Sequence, residues 1–475
     1  MKIETVIAHS SELLRIVSNS TQPTDNFLSD YFRKKKYFGS KERKFASNLI
    51  YFVLRNLTLF KFFYNLLRER NNWISTKNEF ESICYIALML CYCCPNEFPD
   101  FNPNELIKKI EQEQSTESIL QLFFTNDFEN ILSIIKDNFT KIQDDISNLK
   151  LEDILISKES RNLLVNRYSF PEYLLESILK NFIDINSLIN LLENSIKQAP
   201  ISIRINLRNS DIISVINSLK TSEIEPICSQ ISPVGLILNK RVQLNELDVY
   251  KSGKIEVQDI GSQLISLVLD PLETDNVLDA CAGAGGKSLH IADLQNDKGK
   301  IIANDIEFHR LKEIPKRAFK NGVKSIQIHH FNLKTKQNKL IELNKGNLFD
   351  KVIVDAPCSG SGTIRRNPIR KFQINERLIS KLNENQLNIL EFYSKYLKNG
   401  GILLYSTCSI LPQENSELIT KFLQRNSNFI PEDIRPTIQK SNINKVHLLQ
   451  DYMVSTDFRE DETDGFFIAK LHKLN

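Results

Sequence analysis

Apolar residues in the first part of the chain recur at helical spacing. Phe45, Leu49, Phe52 and Val53 show the pattern, because residues three and four apart share one face of a helix. Glycine occurs in this stretch only at Gly39, and Gly39 with Ser40 indicates the end of one helix and the start of the next. The pattern predicts an all-helical domain over residues 1–150.

The apolar runs become shorter between residues 151 and 254 and are separated by turn residues. Ile201, Ile203 and Ile205 alternate with polar positions, which is typical of a half-buried strand, and Pro171 indicates the start of a helix. We expect a linker and a small α/β module here.

From residue 255 to 475, strand and helix patterns alternate regularly. This rhythm is typical of βαβ units, so we predict an α/β catalytic domain with a mostly parallel sheet. The predicted strands are Asn276 to Ala280, Lys300 to Asn304, Ser325 to His329, Asp350 to Asp355, Gly401 to Ser406 and Gly465 to Leu471.

Composition narrows the cellular setting. The chain has 475 residues, and none of its apolar runs approaches the roughly 20 residues that span a membrane. The start at Met1 and Lys2 lacks the apolar segment of a secretory signal, so we expect a cytoplasmic protein without a membrane partner. Its eight cysteines show no repeated spacing, which favours reduced thiols over disulfides or a metal site.

The formal net charge of +3 conceals two segments of opposite sign. Residues 33–70 hold 11 basic and two acidic side chains, whereas residues 71–160 hold seven basic and 16 acidic ones. Tyr31, Phe32, Tyr37 and Phe38 lie in or beside the basic segment. Lysine and arginine release counterions from phosphates and aromatic rings stack on bases, so this segment suits a nucleic acid, although a solvated helix face has the same composition.

A glycine-rich turn follows the first predicted strand of the catalytic part. Val277 to Ala280 lead into Gly283, Gly285 and Gly286, where a backbone without side chains lets a ligand approach closely and the next helix offers free N–H groups. Asp305 ends the next strand, 22 residues after Gly283, where a carboxylate can bind ribose hydroxyls. The spacing suits a nucleoside ligand, but a turn of this kind alone does not identify one.

Two further strands end in cysteine. One delivers Asp355, Pro357 and Cys358, and the other delivers Thr407 and Cys408. Ligands bind at the carboxyl edge of a parallel sheet, so both thiols are expected at one site. The competing interpretation is that they are buried structural cysteines, the commonest state of a free thiol.

These motifs together resemble the RsmB/Sun family of S-adenosylmethionine-dependent RNA (cytosine-5)-methyltransferases. The resemblance rests on Cys281 to Lys287, Asp355 to Gly362 and Ser406 to Asn415, and residues 31–55 are similar to the family's NusB-like helical domain. Gly283 stands for the usual alanine, Ala284 for the usual proline, and Asn332 for the usual aspartate. The resemblance implies a Rossmann-like catalytic domain, preceded by a NusB-like domain and a module similar to an RNA-recognition motif.

The resemblance also implies roles for particular residues. Cys408 is implied to be the nucleophile that adds to carbon 6 of cytosine, Cys358 to assist product release, and Asp355 to hold the base. S-adenosylmethionine is implied to bind at Cys281, Ala282, Gly283, Ala284, Gly285, Gly286, Lys287, Asp305, Asn332 and Asp355. RNA contacts are expected from Arg365, Arg366, Lys371 and Arg43.

Several alternatives stay open at the level of sequence. The expected substrate is small-subunit (16S) ribosomal RNA bound by a monomer, with transfer RNA as the nearest alternative. The roles of the two cysteines can also be reversed, because DNA cytosine methyltransferases take their nucleophile from a Pro-Cys motif, which here contains Cys358. The departures at Ala284 and Asn332 also leave room for an RNA-binding or ribosome assembly factor without catalysis.

Overall fold

A computed structural model describes residues 1–475 except 21, 71–77, 125–126, 240–241, 331–338 and 461. The chain forms two compact units: unit 1 contains residues 1–198 and 364–374, and unit 2 contains residues 199–363 and 375–475.

Unit 1 is helical, as the apolar spacing predicted. Its helices are α1 (Ile3–Ser18), α2 (Thr24–Lys34), α3 (Ser40–Arg55), α4 (Leu57–Glu69), α5 (Glu79–Cys93), α6 (Pro103–Ile110), α7 (Thr116–Phe124), α8 (Phe128–Ser147), α9 (Leu151–Ile156), α10 (Lys158–Tyr168), α11 (Glu172–Leu179) and α12 (Ile185–Ile196). Phe45, Leu49 and Phe52 of α3 are buried, so the predicted face of this helix is its core face.

The predicted segments 1–150, 151–254 and 255–475 do not coincide with these units. Helices α9 to α12 belong to unit 1, because α10 packs against α4 and α8. Unit 1 also takes in residues 364–374, whose turn Pro368–Gln373 contacts α3. The first part of the predicted linker is therefore helical and packs within unit 1, and the first strand begins at Ile201.

Unit 2 begins with a small antiparallel sheet in the order β2-β3-β1-β4. Its elements are β1 (Ile201–Ile205), α13 (Ile212–Thr221), β2 (Pro226–Cys228), β3 (Gly235–Leu238), α14 (Asp248–Lys251) and β4 (Ile255–Val257). The alternation at Ile203 and Ile205 puts both side chains into the core of this sheet.

The second sheet of unit 2 runs β11-β12-β13-β9-β8-β5-β6-β7 among the described residues, with β10 paired to β13. Its strands are β5 (Asn276–Asp279), β6 (Lys300–Asp305), β7 (Ile326–His330), β8 (Phe349–Asp355), β9 (Leu397–Thr407), β10 (Phe429–Pro431), β11 (His447–Gln450), β12 (Met453–Thr456) and β13 (Phe466–Lys473). Strands β5 to β9 pair in parallel, and β13 joins β9 antiparallel. The predicted strands and the mostly parallel sheet are confirmed.

Helices cover both faces of this sheet. They are α15 (Ile260–Leu269), α16 (Gly286–Leu294), α17 (Phe308–Leu311), α18 (Glu313–Asn321), α19 (Lys339–Leu343), α20 (Glu376–Ser394), α21 (Ser416–Arg425) and α22 (Arg435–Lys440). Successive residues of a strand point to opposite faces, so Val352 and Val354 of β8 join the core with α20 and α21, whereas Ile353 joins the core with α15 and α16.

Within the described part of the chain, no helix combines the length and the apolar character that crossing a bilayer requires.

A buried ion pair connects the small sheet to the larger one within unit 2. Arg204 of β1 pairs with Asp293 of α16, and its Nε donates to Gln258 Oε1 at 2.9 Å. The Arg204 side chain is buried, so removing its charge leaves the buried Asp293 carboxylate with its longer ion pair to Arg208, whose Nε lies 3.6 Å from Asp293 Oδ1.

We predict that Arg204→Met lowers the free energy of unfolding by at most about 3–5 kcal/mol, because breaking a buried ion pair costs this much and Arg208 offsets part of the loss. Urea denaturation followed by circular dichroism measures the change. The control is Arg435→Met, which breaks the exposed ion pairs of Arg435 with Asp433 and Asp451 and is expected to cost much less, because solvent screens exposed pairs. Equal losses in the two variants would contradict the prediction.

Candidate active site

The turn between β5 and α16 requires glycine at two positions. Gly283 has φ +54° and Gly285 has φ +80°, both in the left-handed region. A Cβ at Gly283 would lie 2.7 Å from Arg310 Nη2, and one at Gly285 would lie 2.7 Å from Ile314 Cγ1. Side chains are therefore excluded from a backbone that runs directly into the N-terminus of α16.

Asp305 ties the end of β6 to this turn. Its Oδ2 accepts a hydrogen bond from the Gly283 N–H at 2.7 Å, and its Oδ1 accepts one from the Glu307 N–H at 2.8 Å. Each carboxylate oxygen has a second lone pair, so Asp305 keeps the capacity to accept a hydroxyl of a ligand.

An arginine holds the turn at Ala284. Arg317 Nη1 donates to the Ala284 carbonyl oxygen at 2.6 Å, and Arg317 Nη2 donates to Glu256 Oε2 at 2.7 Å. Glu256 is a buried residue of β4 whose other oxygen pairs with Lys320 at 2.7 Å. Burial alone would raise the pKa of Glu256, but Arg317 and its hydrogen-bond donors lower it, so the carboxylate stays charged.

Lys287 and Asp355 form an ion pair between the turn and β8. Lys287 Nζ lies 2.6 Å from Asp355 Oδ2, and the Ser406 hydroxyl donates to Asp355 Oδ1 at 2.9 Å. Burial would lower the pKa of Lys287, but the Asp355 carboxylate raises it above its ordinary value. Lys287 is therefore a fixed positive charge beside the ends of β8 and β9.

The two predicted cysteines come together at this edge. Cys358 Sγ and Cys408 Sγ are 3.3 Å apart, because each follows the end of one of two paired parallel strands. The hydrogen bond with Cys408, followed by burial, raises the pKa of the Cys358 thiol well above its ordinary value. Cys358 therefore stays protonated at neutral pH.

A cavity of about 420 Å³ joins Cys281, at the start of the turn, to the two thiols, whereas residues 282–287 of the turn do not belong to its lining. Cys281, Asp305, Asp355, Cys358 and Cys408, all predicted site residues, line it. Its remaining walls are formed by Ala280, Ile306, Glu307, Arg310, Ala356, Pro357, Asn385, Ile389 and Tyr393.

Sequence reasoning missed Arg310, Asn385 and Tyr393. Asn385 and Tyr393 belong to α20, which no motif connected with the glycine turn, and Arg310 carries no motif of its own. The five-residue spacing from Asp305 places Arg310 on α17, beside the turn, and that spacing was the one available signal.

The basic residues predicted to contact RNA lie in unit 1 and differ in exposure. Arg366 is exposed and Arg43 is partly buried, with its Nε donating to the Phe38 carbonyl oxygen at 2.9 Å. Arg365 and Lys371 are buried, and Lys371 Nζ donates to the Arg55 carbonyl oxygen at 2.7 Å. In this conformation those two side chains do not present their charge to solvent, which disagrees with their expected role. Asn332 lies outside the described residues.

Two family models match unit 2 and the end of unit 1. Residues 266–472 match the model of the 16S rRNA methyltransferase RsmB/F, and residues 170–245 match the ferredoxin-like domain of RsmF/B-like methyltransferases.

Curated relatives point to the same family. The probable ribosomal RNA small subunit methyltransferase B of Synechocystis is 30% identical over 65% of this chain and 68% of its own length. The ribosomal RNA small subunit methyltransferase B of Enterobacter is 31% identical over 65% of this chain and 67% of its own length. The probable counterpart in Bacillus subtilis is 35% identical over 47% of this chain and 49% of its own length. The match to the Bacillus relative thus spans about half of that protein.

Solved structures share the fold. A methyltransferase homolog from Pyrococcus horikoshii is 25% identical, with TM-score 0.56 over 67% of this chain and 100% of that one. The protein PH0851 is 23% identical, with TM-score 0.67 over 99% of both chains. NSun6 from Pyrococcus horikoshii, solved with the S-adenosylmethionine analogue SFG, is 22% identical, with TM-score 0.55 over 65% of this chain and 99% of that one.

Asp279, at the end of β5, gives the site a pH dependence. Burial raises its pKa to about 7, although a hydrogen bond from Ser288 opposes the rise. The folded state binds this proton more tightly than the unfolded state, so its contribution to stability is present below about pH 4 and is lost as the pH rises to about 7.

We predict that Asp279→Asn gains stability relative to the unsubstituted protein between pH 5 and pH 8, by roughly 4 kcal/mol at most. Urea denaturation at several pH values in this range measures the difference. Asp433→Asn is the control, because Arg435 lowers the pKa of exposed Asp433 and places its titration below the range. A pH-independent difference for Asp279→Asn would contradict the prediction.

Proposed function

Because the chain belongs to the RsmB/F family of S-adenosylmethionine-dependent 16S rRNA methyltransferases, we propose that it methylates carbon 5 of a cytosine in small-subunit ribosomal RNA. The observation that carries the proposal is the pair of thiols, 3.3 Å apart, lining the same cavity as Asp305 and Asp355. Methyl transfer to an oxygen or an amine needs no thiol, whereas carbon 5 of cytosine must first be activated.

The residues of the turn fit S-adenosylmethionine. Gly283 and Gly285 take left-handed conformations in which a Cβ would collide with Arg310 and Ile314, so the turn stays close to α16 and its free N–H groups, and Asp305 retains lone pairs for ribose hydroxyls. Cys281, Ala282 and Ala284 to Lys287 complete this turn by the resemblance to the family. When bound, S-adenosylmethionine supplies an electrophilic methyl group.

Cys408 supports covalent activation of the base. Its thiolate would add to carbon 6 and move the electron pair of the 5,6 double bond to carbon 5, which makes carbon 5 a nucleophile. Bound S-adenosylmethionine would supply the methyl group, with the electron pair of the broken bond remaining on its sulfur. Loss of the carbon 5 proton to a base restores the double bond as the bond between Cys408 Sγ and carbon 6 breaks. Lys287, held by Asp355 at 2.6 Å, supplies a positive charge at the sheet edge where β8 and β9 end.

Asp355 and Cys358 have supporting roles in this proposal. Lys287 and Ser406 fix the Asp355 carboxylate, which can then accept a hydrogen bond from the exocyclic amine of cytosine. The raised pKa of Cys358 favours a proton donor that assists product release and argues against Cys358 as the nucleophile.

We predict that Cys408→Ala lowers methylation by at least about 1,000-fold, because the covalent step is lost. We expect Cys358→Ala to accumulate a covalent complex with RNA, because release is impaired. Transfer of tritium-labelled methyl groups to unmodified 16S rRNA, with nucleoside identification by mass spectrometry, measures both effects. Cys228→Ala, at an exposed cysteine, is the control. Full activity in Cys408→Ala would exclude this mechanism. Label recovered in transfer RNA alone would identify transfer RNA, and not ribosomal RNA, as the substrate.

The departure at Ala284 raises a second candidate function, RNA binding without catalysis. We propose instead that Arg317 restrains the turn where the family has proline, since its guanidinium joins the Ala284 carbonyl to Glu256. In this proposal the turn remains ordered and binds the cofactor.

Arg317→Ala is therefore expected to weaken S-adenosylmethionine binding by about 10- to 100-fold, because a charged hydrogen bond contributes about 1.5–3 kcal/mol. Isothermal titration calorimetry measures the dissociation constant. Arg425→Ala, which removes an exposed arginine of α21, is the matched control. Failure of the unsubstituted protein to bind S-adenosylmethionine would favour the RNA-binding factor.

A further inference from the structure

A buried carboxylate lies behind the two cysteine loops, outside the cavity lining. We propose that Glu414 is a positioning residue that holds the Cys358 and Cys408 loops in register; the proposal rests on the function proposed for these thiols. Glu414 ends the short turn Pro412–Glu414 after β9, and its side chain is fully buried.

Two hydrogen bonds connect Glu414 to the Cys358 loop. Ser359, the residue after Cys358, donates its backbone N–H to Glu414 Oε1 at 2.8 Å. Its hydroxyl donates to Glu414 Oε2 at 2.5 Å. Both the backbone and the side chain next to Cys358 are therefore fixed by one carboxylate.

The same carboxylate also holds the Cys408 loop. Ser409, the residue after Cys408, donates its hydroxyl to Glu414 Oε2 at 2.6 Å. The Ser409 oxygen in turn accepts from the Leu411 N–H at 3.1 Å and lies 2.8 Å from the Ser361 hydroxyl. Glu414 thus bridges residues adjacent to the two thiols.

Helix α20 completes the arrangement. Gln386 Nε2 donates to Glu414 Oε1 at 2.9 Å and to the Pro357 carbonyl oxygen at 3.1 Å. All four groups around the carboxylate are neutral donors. The four donors use both oxygens of the carboxylate, two at Oε1 and two at Oε2.

The variant Glu414→Gln distinguishes a positioning role of the carboxylate from a role in which the side chain only fills space. Glutamine has nearly the same shape, but its amide nitrogen donates and replaces one of the two acceptors. At the Oε1 position the nitrogen would face the Ser359 N–H and Gln386 Nε2, which also donate, and at the Oε2 position the Ser359 and Ser409 hydroxyls would have to turn and accept. We therefore expect the loops to shift and the 3.3 Å contact between Cys358 Sγ and Cys408 Sγ to lengthen.

The test measures how readily the two thiols form a disulfide. Diamide oxidises the pair: the sulfurs form one S–S bond, and the two protons and two electrons reduce the N=N bond of the reagent. Peptide mass mapping of quenched samples gives the rate of the Cys358–Cys408 linkage. This readout needs neither RNA nor methyl transfer.

We expect Glu414→Gln to slow this linkage at least about 10-fold and to lower the kcat of methylation by about 10- to 100-fold, since a displacement near 1 Å can cost this much. The KM for RNA and the dissociation constant for S-adenosylmethionine are expected to change less than about twofold, because the cofactor turn lies elsewhere. Unchanged cofactor binding also shows that the variant is folded.

Glu417→Gln is the matched control, because it makes the same chemical change at an exposed residue three positions later. Gln386→Ala leaves the carboxylate in place, removes one of its donors and is expected to have an intermediate effect. Linkage in Glu414→Gln at the unsubstituted rate would overturn the role of Glu414, whatever the activity. Slow linkage in Glu414→Gln would support the positioning role. If the unsubstituted protein failed to methylate cytosine, that failure would overturn the proposed function but not the positioning role.

Discussion

Parallel pairing of β8 with β5 on one side and β9 on the other governs the geometry of the candidate site. The register aligns Asp279 with Ile353 and Asp355 with Ser406. Parallel strands end at the same edge, so the glycine turn after β5, the Cys358 loop after β8 and Cys408 after β9 meet there. The chain order also reverses between β5 and β8, which leaves a crevice for a ligand at that edge.

The electrostatics of this edge follow from burial. Lys287 is paired with Asp355, the pKa of Asp279 is raised to about 7, and Glu414 is held by neutral donors. Each group accepts or donates at least one hydrogen bond or ion pair within the protein, and such fixed partners need little reorganisation when charge develops nearby. The same burial of charged groups lowers the free energy of unfolding, as expected at a site where function and stability compete.

The small sheet contributes to the site through a short relay within unit 2. Glu256 on β4 holds Arg317, and Arg317 holds the Ala284 carbonyl of the turn. Arg204 on β1 pairs with Asp293, on the helix that follows the turn. The module expected to be similar to an RNA-recognition motif thus also supports the proposed cofactor site.

Local pattern determined much of this protein. The regular alternation of strand and helix patterns, the glycines at positions 283 and 285, and the cysteines at the ends of strands are properties of neighbouring residues, and they predicted the sheet, the turn and the proximity of the thiols. The tertiary structure decided the rest. The position of Tyr393 in the cavity, the burial of Arg365 and Lys371, the continuation of the helical unit to Gln198 and the four donors around Glu414 depend on segments far apart in the chain. Periodicity encodes which side of an element is buried, but not which distant side chain it meets, because that choice is made only when the elements pack.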